Sequence, residues 1–234
     1  MVSEDINEYS EYTYDDSGCS NAKQGFGFTS FTCNSARYNH ALWVLYRLDL
    51  NFINDLSAPT CCQEWNVGDV LQHVATVSEM VFNVGLPYTD KNGIERKPEL
   101  LHQEEREFSR ENPDYDANQI AIRVILRCMK QGLGRFRDMD FLESLIQTPF
   151  GEMTVDNFLG VIWVDTLTHA WDIADACNIN HLIPQVMAEE AYKVLVPRER
   201  GLRGPGLFNP AVETTSQDAV DRFIAFTGRK SVRD

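Results

Sequence analysis

Asp165 and His169 stand four residues apart in a segment whose apolar residues, Val155, Phe158, Leu159, Ile162, Val164, Leu167, Ile173 and Ala174, cover nearly every side of a helix. Side chains at positions i and i+4 of a helix share a face, with Cβ atoms about 5–6 Å apart, which is a chelating spacing. A carboxylate and an imidazole turned into such a core cost several kcal/mol unless they are paired or coordinated, and a bound cation would offset that cost. His73 lies in a second apolar segment, flanked at helical spacing by Val70, Val74 and Val77, and is the natural third ligand from a facing helix. Spacing alone leaves a plainer reading open: a satisfied core histidine, and an ordinary hydrogen-bonded Asp-His pair. His40, His102 and His181 are the competing ligands, and each reads as a surface or capping residue.

Three kinds of neighbour bear on the chemistry. Asp172 follows His169 by three residues on nearly the same face, where it could orient the imidazole, shuttle a proton, or make a buried packing hydrogen bond. Trp65, Trp163 and Trp171 supply large apolar walls with one indole donor each. Cys61 and Cys62 precede the His73 helix; carboxylates nearby raise a thiol pKa, so structural thiols are the favoured reading over a nucleophile.

The elements that must position these groups follow from the apolar pattern. A first helix starts at Ser35 and its stripe, Ala41, Leu42, Leu45, Leu48, Leu50, Phe52 and Ile53, runs to about Asp55. A second, with Asn66 as candidate N-cap, spans Val67 to about Asn83. The connection from Gly85 to Asp116 is polar, broken by Pro87, Pro98 and Pro113, with a charged helical piece from Leu100 to Arg110, and its length is of the kind that often serves function. A third helix covers about Ala117 to Phe136. The fourth is capped by Thr154 or Asp156 and ends near Asn178. Shorter helices follow over Pro184 to Val196 and over Ser216 to Phe226, the latter capped by Ser216. No strand-rich block is expected. The pattern is all-α, a four-helix bundle with additional short helices.

Residues 1–34 carry six carboxylates and one lysine without a helical or alternating period, and read as a flexible acidic arm. Its aromatic tail, Phe26-Gly-Phe-Thr-Ser-Phe31, is apolar enough to dock on the body or on a second copy of the chain, so a homodimer stays open. Residues 35–234 form the helical body.

Composition narrows the function classes. A net charge of −14 over 234 residues repels a phosphate backbone, and the basic clusters are short, which argues against nucleic acid as a partner. The longest apolar runs fall well short of the roughly 20 residues that cross a bilayer, and the acidic opening Met1-Val-Ser-Glu-Asp is unlike a secretory signal. Six cysteines without a C-x-x-C pair fit a reducing compartment, so a cytoplasmic location without membrane association is expected.

Three separated motifs carry a resemblance. Pro59-Thr-Cys-Cys-Gln-Glu-Trp65-Asn-Val-Gly-Asp69-Val-Leu-Gln-His73 resembles the "T-P-C-x-x-W-x-V-x-D-L-x-x-H" opening of the DinB/YfiT-like metalloprotein superfamily, in its group of mycothiol-dependent maleylpyruvate isomerase N-terminal domains. The helix bearing Asp165, His169, Trp171 and Asp172 is similar to that group's "E-x-x-x-H-x-W-D-L-A", and Phe208 to Arg229 is similar to its "F-G-P-x-V … R-L-x-A-F-x-G-R" ending. The resemblance implies a DinB-like four-helix bundle holding one divalent ion, usually Zn2+, with Ni2+, Fe2+ or Mn2+ as alternatives, through His73, Asp165 and His169. It also implies a small-molecule substrate and a low-molecular-weight thiol as cosubstrate.

Asp165 departs from the family's glutamate, and its carboxylate is one methylene shorter. The thiol-dependent isomerases carry a further C-terminal domain, so a related reaction is expected in place of maleylpyruvate isomerisation itself. Three protein ligands leave a coordination position open, as in catalytic sites. The function expected is therefore thiol transfer, isomerisation or related Lewis-acid chemistry. The alternatives are a metal-dependent hydrolase, a biosynthetic cyclase or lyase, and a metal-binding module without turnover.

Overall fold

The structure, a computed structural model, describes residues 33–48, 55–62, 65–83, 88–89, 95–96, 122, 125, 128, 135–136, 138–203 and 208–232. The acidic arm over 1–32, the charged piece over 100–110, and His102 lie outside the described residues.

Helix α1 (Asn34–Arg47) buries Tyr38, Ala41, Leu42 and Leu45, the i, i+3, i+4, i+7 face that its sequence presents. It stops at Arg47, earlier than the apolar stripe suggests, where the N–H of Leu48 turns back to the carbonyl of Leu45. Leu50, Phe52 and Ile53 lie outside the described residues. Asn34 reaches across the fold, donating to the backbone carbonyl and the carboxylate of Asp156.

Residues 55–62 and 65–66 fold onto the start of α2 (Val67–Asn83). The N–H groups of Val67 and Gly68 bond the carbonyls of Ala58 and Leu56, and that of Thr60 bonds the carbonyl of Trp65. Asn66 caps α2 as expected, in a reciprocal arrangement. Its Oδ1 accepts from the Asp69 N–H at 2.9 Å, and Asp69 Oδ2 accepts from the Asn66 N–H at 3.0 Å. A two-stranded pair, β1 (Tyr88–Thr89) and β2 (Glu95–Arg96), lies in the long connection.

Ile122, Ile125 and Cys128 are helical at a three-residue spacing, with Ile125 and Cys128 buried, where the third helix is expected. After the short α3 (Met139–Glu143), strands β3 (Leu145–Thr148) and β4 (Gly151–Thr154) form an antiparallel hairpin, with Leu145 opposite Thr154 and Thr148 opposite Gly151. Two four-residue strands are too short for alternation to stand out in the sequence. The turn is set by Gly151 at φ 99° and by Thr148, whose hydroxyl donates to the Gly151 carbonyl and accepts from the Phe150 N–H.

The hairpin feeds α4 (Val155–Ala176), the 22-residue element around which the molecule is built. Thr154 is its cap, accepting from the Asn157 N–H, and it ends where Asn178 takes a left-handed conformation at φ 55°. Helix α4 packs against both α1 and α2. Most of its apolar residues are buried, Trp163, Phe158 and Leu167 among the largest, whereas Val161 is exposed.

Helix α5 (Gln185–Leu195) continues through a 3-10 turn (Val196–Arg198) into α6 (Glu199–Arg203), and α7 (Ala219–Phe226) packs on α5. Helix α7 starts later than its pattern suggests. Asp218, and not Ser216, is the cap, its Oδ1 accepting from the Val220 and Asp221 N–H groups, while the Ser216 hydroxyl donates to Asp221. The described residues are mainly helical, an all-α chain with two small hairpins. No helix among them is long and apolar enough to cross a membrane.

Candidate metal centre

Helix α2 presents His73 and α4 presents Asp165 and His169 to one point. His73 Nε2 lies 3.1 Å from Asp165 Oδ2, and His169 Nε2 lies 3.4 Å from Asp165 Oδ1. The two imidazole rings meet edge to face, 4.8 Å between centroids. One ligand atom from each of the three residues lies within 4.8 Å of the others. Tetrahedral coordination with bonds of about 2.1 Å places neighbouring ligand atoms about 3.4 Å apart, a spacing near that of each Asp-His pair, with the two histidines facing different oxygens of Asp165. A two-His, one-carboxylate donor set suits zinc and the late first-row divalent ions.

The centre is open on one side. The His73 and Asp165 side chains are 30% and 35% exposed, whereas His169 is buried. Trp65, at the end of the loop before α2, stands at this opening. Its ring stacks on His169 at 5.8 Å with a 27° tilt and lies 5.0 Å from His73. Trp163 is instead wholly inside the core, and Trp171 packs half-buried against it.

Behind His169 lies a second layer. Asp172 is fully buried, and its Oδ2 accepts from His169 Nδ1 at 2.8 Å. That bond occupies Nδ1 and leaves Nε2 directed at Asp165, the arrangement in which an outer carboxylate fixes the tautomer of a metal-binding histidine. The same carboxylate accepts from Arg229 Nε at 2.7 Å and Arg229 Nη2 at 3.1 Å. It also accepts from the thiols of Cys61 at 3.0 Å and Cys62 at 3.3 Å.

The electrostatics follow from these partners. Burial by itself would raise the Asp165 carboxyl, but the attraction of His169 and hydrogen bonds from His169 and His73 outweigh it and hold the group well below the usual carboxylate range. Burial likewise disfavours charge on Asp172, and the Arg229 guanidinium, with His169, overcomes it. Burial disfavours the charged form of His169, yet the Asp165 charge and the bonds to Asp165 and Asp172 raise its pKa well above the ordinary imidazole value. Burial and then the Asp172 charge push the Cys61 thiol far up, so it remains a donor.

A second triplet, Cys62, His169 and Asp172, also has metal-ligand spacing. The Arg229 guanidinium lies against both Asp172 oxygens and, through Nη2, against Cys62 Sγ at 3.3 Å, so a cation there would face a fixed positive charge. Among the described residues, no such cation lies against the donor set around Asp165. The other described histidines stand apart from both triplets: His40 Nδ1 bonds the Ala36 carbonyl inside α1, and His181 Nδ1 accepts from the Ile183 N–H.

The spacing in the sequence puts Asp172 beside His169, but Arg229 and the two thiols join it only in the fold. Arg229 sits in a short basic cluster near the end of the chain, and the tail motif in which it stands was the one signal available.

An uncharacterized protein of Mycobacterium tuberculosis, Rv0738, is 26% identical over 183 residues, which span 75% of this chain and 86% of that protein. Its counterpart in a second strain, MT0763, matches to the same extent. No solved structure matches significantly. The family model for the mycothiol maleylpyruvate isomerase N-terminal domain matches residues 52–174, which include the three convergent residues His73, Asp165 and His169 and also Asp172, and the chain belongs to that family.

Proposed function

We propose that the protein is a metal-dependent enzyme acting on a small organic molecule at a mononuclear centre held by His73, Asp165 and His169, by thiol transfer, isomerisation or a related Lewis-acid step. The observation that carries this reading is the convergence of three ligand atoms from two helices with one side left open beside Trp65. Structural zinc sites are usually closed by four protein ligands, whereas three ligands and an opening leave room for a substrate atom. A divalent ion held there, Zn2+ first and Ni2+, Fe2+ or Mn2+ as alternatives, would supply Lewis acidity and lower the pKa of a thiol or water beside it.

The chain's own residues divide the remaining work. Asp165 supplies the one negative charge among the three ligands. Asp172, with its oxygens already engaged by His169, Arg229 and two thiols, acts as an orienting anion for His169 more readily than as a proton shuttle. Trp65 gives the opening a flat apolar wall that shields the imidazoles from water on that side. Family membership supports a low-molecular-weight thiol of the mycothiol class as cosubstrate.

The fold reading that goes with this function is a DinB-like bundle over residues 35–234, built from α1, α2, α4 and the helix bearing Ile122, Ile125 and Cys128. Its support is the shared core of these four segments and the edge-to-face contact between Tyr38 and Phe136, 6.1 Å between centroids.

Cobalt substitution tests the proposal. Co2+-loaded protein titrated with a low-molecular-weight thiol should develop a thiolate-to-metal absorption band, absent from His169→Ala. A visible spectrum of saturated four-protein coordination that no thiol or small carboxylate perturbs would overturn it in favour of a module without turnover.

A further inference from the structure

We infer that Arg229, on the tail that follows α7, is a positioning residue of the metal centre: it clamps Asp172, and Asp172 fixes His169 with Nε2 turned toward Asp165 and His73. The inference rests on reading those three residues as metal ligands. It concerns a residue outside the segment that the family model matches, residues 52–174.

Asp172 has no exposed surface. A carboxylate so buried is costly to keep ionised without a counter-charge. Arg229, itself only 11% exposed, supplies that charge through a two-pronged contact, Nε to one oxygen and Nη2 to the other. Such a fork fixes the plane of the carboxylate as well as its charge. With the plane fixed, Oδ2 stays 2.8 Å from His169 Nδ1. Arg229 also donates to Cys62 Sγ, tying the tail to the loop that carries Trp65.

The backbone is shaped to deliver this side chain. Gly228, immediately before Arg229, has φ 83°, and a Cβ there would come within 2.6–2.8 Å of Asn209 atoms. Only glycine accepts both the left-handed turn and the contact. Beyond Arg229, the Ser231 hydroxyl and the Val232 N–H donate to Asp175, one turn further along α4. The tail is thus held on α4 at two carboxylates, of which only Asp172 touches a ligand histidine.

These two anchors separate a positioning role from mere docking of the tail. The test measures Zn2+ affinity of the full chain by chelator competition, with the Co2+ visible spectrum as a second readout. Arg229→Gln should weaken Zn2+ binding by about 10- to 100-fold and alter the Co2+ spectrum, as loss of an outer-layer partner does. Arg229→Lys, which keeps the charge and loses the fork, should fall between. Ser231→Ala should leave both readouts unchanged. Asp172→Asn with Arg229→Gln should lose no more affinity than Asp172→Asn alone, because Arg229 acts through Asp172.

Unaltered Zn2+ affinity and spectrum in Arg229→Gln would overturn the inference, as would an equal loss in Ser231→Ala. Should Arg229→Gln not fold, Arg229→Lys and the double variant decide it by the same criteria. His169→Ala run alongside tells the two failures apart. If it still binds Zn2+ normally, the metal-centre reading itself is wrong; if it loses the metal while Arg229→Gln does not, only the role of Arg229 is.

Discussion

His73 Nε2 and Asp165 Oδ2 lie 3.1 Å apart although 92 positions separate them in the chain, so the packing of α2 on α4 brings the two donors together. If that contact marks coordination, Asp165→Asn removes a negative charge from beside a +2 centre and should lower metal affinity. Asp165→Glu should keep the metal while moving it by up to about 1.5 Å, the length of one C–C bond, and so impair turnover more than binding. Metal content and the Co2+ spectrum of the two variants check this. Normal metal content and normal turnover in both would make Asp165 a packing residue.

Trp65 and Trp163 should separate function from stability. Trp65 is 37% exposed and touches both imidazoles, so Trp65→Ala should retain most stability and its metal yet bind a thiol cosubstrate more weakly to the Co2+ protein. Trp163 is buried in the core, and Trp163→Ala should cost about 3–5 kcal/mol. Thermal melts and thiol titrations of the pair give the comparison. Equal melting temperatures in the two variants would contradict it.

Gly228→Ala should destabilise the protein, by about 1–2 kcal/mol for the left-handed backbone alone and further for the contact with Asn209. Urea denaturation measures this directly. An unchanged midpoint would show that the turn into Arg229 relaxes freely.

What was legible in the sequence, and what was not, follows from the range of the interactions. The start of α2 and the extent of α4 were readable because local signals agreed: Asn66 and Thr154 as caps, and continuous apolar patterning behind them. The start of α7 was misplaced because Ser216 and Asp218 are both good capping residues two positions apart, and only the tertiary setting, with Gln185 bonding Asp218 and Ala219, selects the second. The Asp165 and His169 pairing was readable from a four-residue spacing within one helix. The pairing of Arg229 with Asp172 was not, since the two lie 57 positions apart and the tail motif marks Arg229 without pointing to its partner.

The central claim is the metal centre itself, and elemental analysis of the gently purified protein tests it most directly. The account predicts about one divalent ion per chain, with His73→Ala and His169→Ala each losing most of it. Protein that neither carries nor takes up zinc, nickel, iron or manganese, or variants that hold as much metal as the unaltered chain, would contradict it.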